Sequence, residues 1–588
     1  MIPTIKQRAQ CAPTRDAAMA AGYDEFIARI IAARVSNADA DFSALMAPSL
    51  RHLDQPLLLP DMSRAGERLA DAIMRGEKIG VVTDYDVDGI TSHTLIREAL
   101  VQDFGVPEER VSGFIGHRLT EGYGLSDAVC ERVLAVLPDV VITADCGSAD
   151  EARIARLHQV GIDVIVTDHH GIPAGGVPKS AYATVSPARE DSDYPDVAIA
   201  GCTVAWLLMS VLRQVLIDRH HLASDVPKLM RHLDLVGLGT VADAVSLFSH
   251  NNRALVSAGL AVLNQRARPC WQALVELLDR HEQPFRVDDL GFQIGPRINA
   301  RGRMDDPFAA WHFLAAGTLI EARKWLKTLD DNNQQRRATE KNMVAVARER
   351  VNTQLQESDQ TVVVFDEAFH PGVQGIVASR LLERFGRVTA VCSPSNEPGL
   401  VSGSLRSIPE VNVSAALKWV DAQSPGLLLR FGGHPAAAGI TLEATELPSF
   451  RRVFADAVKE QLGQTQLRPV VQTDGELDEM MLSLDTWQAL QALAPFGRGF
   501  EKPVFDGEFQ LTGLKAVGAE PLHLSLNLRV GSTSLRGIWF NALPERTATW
   551  PIAMGERIRC VYELEPDTWR GGSAMQLVVR HAERLMPA

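Results

Sequence analysis

Three aspartates at alternate positions, Asp84, Asp86 and Asp88, are closed by Gly89 in the stretch Thr83-Asp84-Tyr85-Asp86-Val87-Asp88-Gly89-Ile90-Thr91-Ser92. Carboxylates packed this tightly repel one another unless cations sit among them, so the spacing points to bound metal. Asp-x-Asp-x-Asp-Gly also opens a calcium-binding EF-hand loop. Here, however, Leu95 stands where the closing bidentate Glu belongs, and the apolar run Ile79 to Val82 before the loop reads as a strand, not a helix. On this stretch alone, an acidic turn between a strand and a helix stands as an equal alternative.

The elements around it narrow the choice. From about residue 65 to 200, the short β-branched runs Ile79–Thr83, Val111–Ile115, Val140–Ala144 and Val164–Thr167 alternate with amphipathic stretches such as Ser126–Leu137 and Ala149–Gln159. That alternation predicts a doubly wound parallel sheet. Asp84 follows the first run, Asp145 the third and Asp168-His169-His170 the fourth. In an open parallel sheet the carboxyl ends of the strands share one crevice, so three strands deliver metal-ligand types to one place. Each carboxylate alone reads more readily as a helix cap; the convergence is what favours metal.

The pattern elsewhere predicts the remaining organisation. Residues 1–55 read as a helical N-terminal cap, with Ala17 to Arg34 at helical spacing. Residues 56–250 hold the sheet, and 251–360 form a helical region ending in a long charged connector helix, Leu319 to Glu357. A second α/β segment, 361–468, carries Gly403-Ser404-Leu405-Arg406-Ser407 and Phe431-Gly432-Gly433-His434, where glycines admit a close ligand and Ser, Arg and His are phosphate-binding types. Residues 469–588 read as a helical lead-in and a small β-barrel or sandwich, since His523–Val530 alternates in strict period two. The fold class is therefore α/β: two α/β lobes joined by a long helix, plus a C-terminal all-β domain.

Composition excludes several classes. Seven scattered cysteines without a CxxC pair argue against a disulfide framework or a zinc ribbon and predict free thiols. A net charge of −14 argues against a protein that coats nucleic acid nonspecifically, but not against an enzyme with a locally basic groove. No window approaches a membrane span and Met1 to Arg15 lacks an apolar core, so a cytoplasmic protein is expected.

Taken together, Asp-Tyr-Asp-Val-Asp-Gly-Ile-Thr-Ser (84–92), Thr-Ala-Asp-Cys-Gly (143–147), Asp-His-His (168–170) and Gly-Thr-Val-Ala-Asp (239–243) resemble, in order and spacing, the four motifs of the DHH phosphoesterase superfamily. The Gly-Ser-x-Arg-Ser and Phe-Gly-Gly-His segments resemble its DHH-associated domain. Arg118 in His-Arg-Leu-Thr-Glu-Gly-Tyr-Gly-Leu, the run Ile294 to Asp306 and an OB-like C-terminal domain make the likeness strongest to the RecJ-type single-stranded-DNA-specific 5′→3′ exonucleases. Three departures stand out: Leu405 replaces the usual Gly or Ala and is expected to crowd a phosphate pocket, Ser148 follows Cys146-Gly147, and Val245-Ser246 replaces Val-Pro.

The resemblance implies Asp86, Asp88, Asp145, His169 and Asp243 around two divalent ions, with Asp145 between them and Asp84 or His170 as a further ligand or supporting group. Oxygen donors with imidazole suit Mn²⁺ or Mg²⁺, the histidine tilting toward manganese. Arg118, Arg297, Arg301, Ser404 and Arg406 are implied to hold the terminal phosphate and first nucleotides, with Gly432, Gly433 and His434 in the same groove. Trp539 and Phe540 are candidates for stacking bases, against a core role. The expected function is metal-dependent, processive degradation of single-stranded DNA to mononucleotides from the 5′ end, in repair and recombination. Single-strand-binding protein and a helicase are the implied protein partners, and a monomer the implied state. The rivals are a small-substrate phosphodiesterase acting on cyclic dinucleotides or short oligonucleotides, and a non-catalytic DNA-binding replication scaffold.

Overall fold

A computed structural model describes residues 3–36, 42–117, 120–301, 308–356, 358–463, 467, 469–518, 522–543, 550–568 and 571–585. Arg118 lies outside these residues, and Arg301 is described by its backbone alone. The chain divides into two compact units, one of Met1–Thr4, His117–Gly122 and Pro296–Val470, the other of Ile5–Gly116, Tyr123–Gly295 and Val471–Ala588.

In the larger unit the helical pattern expected through Ala17–Arg34 is two helices, α1 (Ala12–Ala20) and α2 (Glu25–Ala32). Gly22 takes a left-handed φ of +98° between them, and Asp24 caps α2 by accepting from the Ile27 N–H. The five-stranded sheet comprises β1 (Ile79–Thr83), β2 (Val111–Ile115), β3 (Val140–Ala144), β4 (Asp163–Thr167) and β5 (Ala183–Val185). All pairings are parallel, in the order β2-β1-β3-β4-β5. Two helices, α4 (Asp127–Val136) and α5 (Glu151–Gln159), bury Val129, Val133, Ile154 and Leu157 against one face. The helices α3 (Val87–Glu98) and α6 (Gly201–Asp218) pack on strands of the same sheet. Such cover explains why β1 and β3 are apolar at successive positions instead of alternating. Among the described helices, α6 alone is long and apolar enough to cross a membrane, and its largely buried surface is that of a core helix. Next come α7 (Leu233–Ala242), α8 (His250–Asn264) and α9 (Pro269–Leu277).

The smaller unit contains α10 (Leu319–Gln354), started by a capping box between Thr318 and Glu321. Its mixed sheet of β6 (Thr361–Phe365), β7 (Val388–Pro394), β8 (Leu400–Arg406), β9 (Arg430–His434) and β10 (Ala437–Glu443) runs β9-β10-β8-β7-β6. Helix α11 (Gln374–Phe385) lies against β7 and β8.

Returning to the larger unit, β11 (Phe505–Val517), β12 (His523–Val530), β13 (Thr533–Trp539), β14 (Arg557–Pro566) and β15 (Met575–Arg584) close a barrel in the order β11-β12-β13-β15-β14. Its core is continuous with Ile27, Ile30 and Ile31 of α2. Arg34 and Asp474 form a fully buried two-pronged pair. Arg253 of α8, also fully buried, donates to the carbonyls of Leu45, Leu493 and Pro495. Each arginine exchanges solvent for several directed hydrogen bonds, which an isolated buried charge would lack.

Candidate metal centre

Register delivers the acids. Thr83, Ala144 and Thr167 end three adjacent strands as direct neighbours, so Asp84, Asp145 and Asp168 emerge side by side. Because β1 and β3 leave in opposite directions around the sheet, their carboxyl ends form the crevice where open α/β sheets bind ligands.

The turn after β1 is held by its own acids. Asp86 caps α3, accepting from the Asp88 and Gly89 N–H groups at 2.9 and 3.1 Å. Asp88 in turn accepts from Gly201 and Cys202 N–H, at 2.7 and 2.8 Å, at the start of α6. Asp145 sits at φ +60°, a left-handed conformation that Asp tolerates better than most residues. A Cβ on Gly201 would stand 2.8 Å from the Asp145 Cβ, so only glycine permits α6 to start there. Asp243 follows α7 directly.

Among the described residues, three groups place ligand atoms within 4.8 Å of one another: Asp84, Asp86 and Asp145; Asp88, His169 and Asp243; and Asp145, His169 and His170. Together they contain all seven residues expected at the catalytic centre. His169 Nε2 lies 3.2 Å from Asp145 Oδ1, 3.7 Å from Asp243 Oδ2 and 3.8 Å from Asp88 Oδ2, yet this buried nitrogen makes no hydrogen bond. Burial holds the imidazole below its ordinary pKa, leaving the neutral form that binds metal. Burial and mutual repulsion push Asp86 upward and Asp145 far upward, and raise Asp243 to about 8. An orphaned imidazole nitrogen among mutually repelling carboxylates fits divalent cations, which satisfy the first and neutralise the second.

His170 behaves differently. Although burial opposes its charge, the 2.8 Å hydrogen bond from Nδ1 to Asp168 raises it to about 9. Asp168, buried and also accepting from the Ser148 N–H, is pulled below the usual carboxylate range by these partners. Tyr123, which spacing alone did not single out, donates from Oη to the Asp145 carbonyl at 2.8 Å and lies edge-on to the His170 ring. A tyrosine preceding a glycine carries no periodic signal; only the folded chain brings it to the site.

The expected substrate residues are more dispersed. Arg297 is nine-tenths buried and its Nε donates to Asp330 of α10 at 2.9 Å, so its guanidinium is engaged within its own unit. Ser404 and Arg406 share one face of β8, and a Cβ on Gly375 would stand 2.6 Å from Arg406 Nη2. The guanidinium thus lies over the first turn of α11, with Nη1 donating to the Leu405 carbonyl at 2.8 Å. Gly432, Gly433 and His434 are exposed on the edge strand β9. Leu405 points away from this face and is fully buried in the core of the smaller unit, so the expected crowding of a phosphate pocket does not arise. Phe540 is exposed, whereas Trp539 packs half-buried against the barrel core.

A parallel sheet with aspartates on adjacent strand ends, an Asp-His-His turn and a second mixed α/β unit define the chain as a DHH-type phosphoesterase. Residues 78–240 match the DHH family N-terminal domain, 358–460 the DHHA1 domain and 473–581 the RecJ OB domain. The chain belongs to the RecJ family. It is 37% identical to the single-stranded-DNA-specific exonuclease RecJ of Dickeya dadantii, covering 91% of this chain and 92% of the relative. Against the Escherichia coli enzyme of the same name identity is 34%, over 89% and 90%. The crystal structure of RecJ from Thermus thermophilus in complex with Mn²⁺ superposes with a TM-score of 0.79 at 25% identity, covering all of this chain and 80% of that one.

Proposed function

We propose that the chain is a metal-dependent exonuclease specific for single-stranded DNA, working through two divalent ions, Mn²⁺ or Mg²⁺. The observation that carries this reading is the orphaned His169 Nε2 among Asp88, Asp145 and Asp243. Asp84, Asp86 and Asp145 form one ligand group and Asp88, His169 and Asp243 another, with Asp145 also beside His169 and so able to serve both. Divalent ions in such a site supply Lewis acidity and charge neutralisation for phosphodiester hydrolysis. The protein's part is orientation: Asp86 and Asp88 are each fixed by two backbone N–H groups before any ion arrives. His170, kept charged by Asp168, stabilises negative charge on the phosphate or hands a proton to the leaving oxygen.

Ser404 and Arg406, with Arg118, Arg297 and Arg301, are assigned to phosphate contacts, and Gly432, Gly433 and His434 to the strand's backbone. The 5′→3′ direction, processivity and mononucleotide product follow from the family resemblance, as do repair and recombination, a cytoplasmic monomer, and single-strand-binding protein and a helicase as partners. A barrel matching the RecJ OB domain suits a polymer better than a cyclic dinucleotide.

The test is incubation of the purified protein with 5′- or 3′-end-labelled single strands, duplex and a cyclic dinucleotide in Mn²⁺, Mg²⁺ or EDTA. Release of 5′-terminal mononucleotides from the single strand, abolished by EDTA, is expected. Hydrolysis of the dinucleotide with the single strand left intact overturns the reading.

A further inference from the structure

Helices α3 and α7 pack together in opposite directions, and their two ends carry opposite kinds of acid cluster. At one end are Asp88, in the first turn of α3, and Asp243, just after α7. There the contact is so close that a Cβ on Gly239 would stand 2.6 Å from Thr91 Oγ1 and 2.9 Å from Asp88 Oδ1. At the other end are Glu98, the last residue of α3, and Asp234, in the first turn of α7. Arg268, which precedes α9, binds both. Its Nη1 and Nη2 donate to the two Glu98 oxygens at 2.7 and 2.8 Å, and its Nε to Asp234 Oδ2 at 2.7 Å. Trp271 Nε1 reaches the same Asp234 oxygen at 2.7 Å, while His232 lies 2.7 Å from Asp103 and 3.3 Å from Glu98. Glu98, Asp234, His232 and Trp271 are all buried.

Helices usually fix their lengthwise register by interlocking side-chain ridges. Near the site the contacts of α7 include two glycines, Gly237 against Gly259 of α8 and Gly239 against α3, alongside the buried Leu235, Val236 and Leu238. A rigid fork across the far end adds a directed constraint on register. We propose that Arg268 is a positioning residue for the metal centre, fixing α7 against α3 and thereby the spacing of Asp88 and Asp243 about the His169 nitrogen. The clamp lies about 15 Å from the acids, ten residues at helical rise. Helices transmit a lengthwise shift almost undiminished, and ion coordination tolerates little of it.

This inference rests on reading the acids as a metal site, and it makes a selective prediction. The group formed by Asp88, His169 and Asp243 depends on α7; the group formed by Asp84, Asp86 and Asp145 does not. Titration calorimetry and Mn²⁺ paramagnetic resonance on the whole protein distinguish them. Wild-type protein should bind two Mn²⁺ ions. Arg268→Met should weaken one ion about 10- to 100-fold, the range seen when groups supporting metal ligands are removed, and spare the other. Arg268→Lys, which keeps the charge but loses the fork, should weaken the same ion, and it decides the matter if Arg268→Met does not fold. Arg387→Met, which removes a buried arginine of the smaller unit whose Nη1 donates to the Leu467 carbonyl, serves as the stability control: it should lower Tm without changing ion affinity. The proposal is overturned if the Arg268 variants bind both ions as wild type does, or if Arg387→Met weakens the same ion. Failure of wild-type protein to bind Mn²⁺ would instead refute the metal reading itself.

Discussion

Two carboxylate clusters stand at opposite ends of the α3–α7 pair, and Glu98 in one is shifted in the opposite direction to Asp243 in the other. Burial would push Glu98 upward, but hydrogen bonds and charge from His232 and Arg268 pull it down to about 2. At the other end burial and the charges of Asp88 and Asp86 hold Asp243 at about 8. The same side-chain chemistry in similar burial is thus a finished ion pair in one place and an unfinished one in the other. What differs is the origin of the cations: Arg268 is part of the chain and bonds its acids directly, whereas the second cluster, with the His170 and Arg498 charges nearby, is completed by ions from solution.

The sharpest way to break this comparison is to make the same carboxyl-to-amide change at each end. Asp145→Asn keeps a residue that tolerates φ +60°, where alanine would add backbone strain. Hydrolysis of single strands should fall below about one-thousandth of wild type, while the metal-free Tm stays level or rises as repulsion is relieved. Glu98→Gln should do the reverse to stability. It removes the carboxylate that accepts both Arg268 Nη bonds, and breaking a buried pair in this way costs about 3–5 kcal/mol, read from urea unfolding. A destabilised Asp145→Asn, or a Glu98→Gln as stable as wild type, would remove the distinction.

How much of this was legible in the chain follows from the same contrast. Asp84, Asp145 and Asp168 announce themselves because each ends a β-branched run, and in a parallel sheet strand ends converge. Arg268 and Glu98 are 170 residues apart in ordinary helical contexts, so nothing local joins them. Likewise nothing local in the sequence joins Arg297 to Asp330, on another helix, which accepts from its Nε. Leu405 illustrates the converse: strand alternation sends it to the core, while its neighbours Ser404 and Arg406 take the other face. The break between α1 and α2 was encoded locally, in Gly22 and the capping Asp24, but the run of alanine and isoleucine masks it.

A smaller effect sharpens the comparison through pH. Asp243 rises from an ordinary 3.8 to about 8 in the folded protein, so between those values the metal-free folded state holds a proton that the unfolded chain has lost. Stability of the metal-free protein should therefore fall as pH rises through that window. Glu98 acts oppositely: its contribution is complete above 4.5 and is lost as pH falls toward 2. Mn²⁺ at a hundred times its dissociation constant should restore about 2.7 kcal/mol, with protons released to buffer near neutral pH. Calorimetry in buffers of different ionisation enthalpy measures that release, and finding none at pH 7 would contradict the raised carboxylates.

The smallest expected change concerns Tyr123, which stands at the unfinished cluster without carrying charge. Its hydroxyl donates to the carbonyl of Asp145, the residue whose left-handed backbone aims a carboxylate at both ligand groups. Tyr123→Phe keeps the ring beside His170 and removes that hydrogen bond, worth about 1 kcal/mol, together with the hydroxyl's 3.1 Å contact to His170 Nδ1. If the bond steadies Asp145, Mn²⁺ affinity and kcat should fall together by about fivefold while the KM for a single strand holds. If Tyr123 instead contacts the substrate, KM should rise with Mn²⁺ affinity unchanged. The split matters because Tyr123 approaches Asp145 through a neutral hydrogen bond: the cluster completed by ions from solution has its backbone held by groups that leave its charge for the ions.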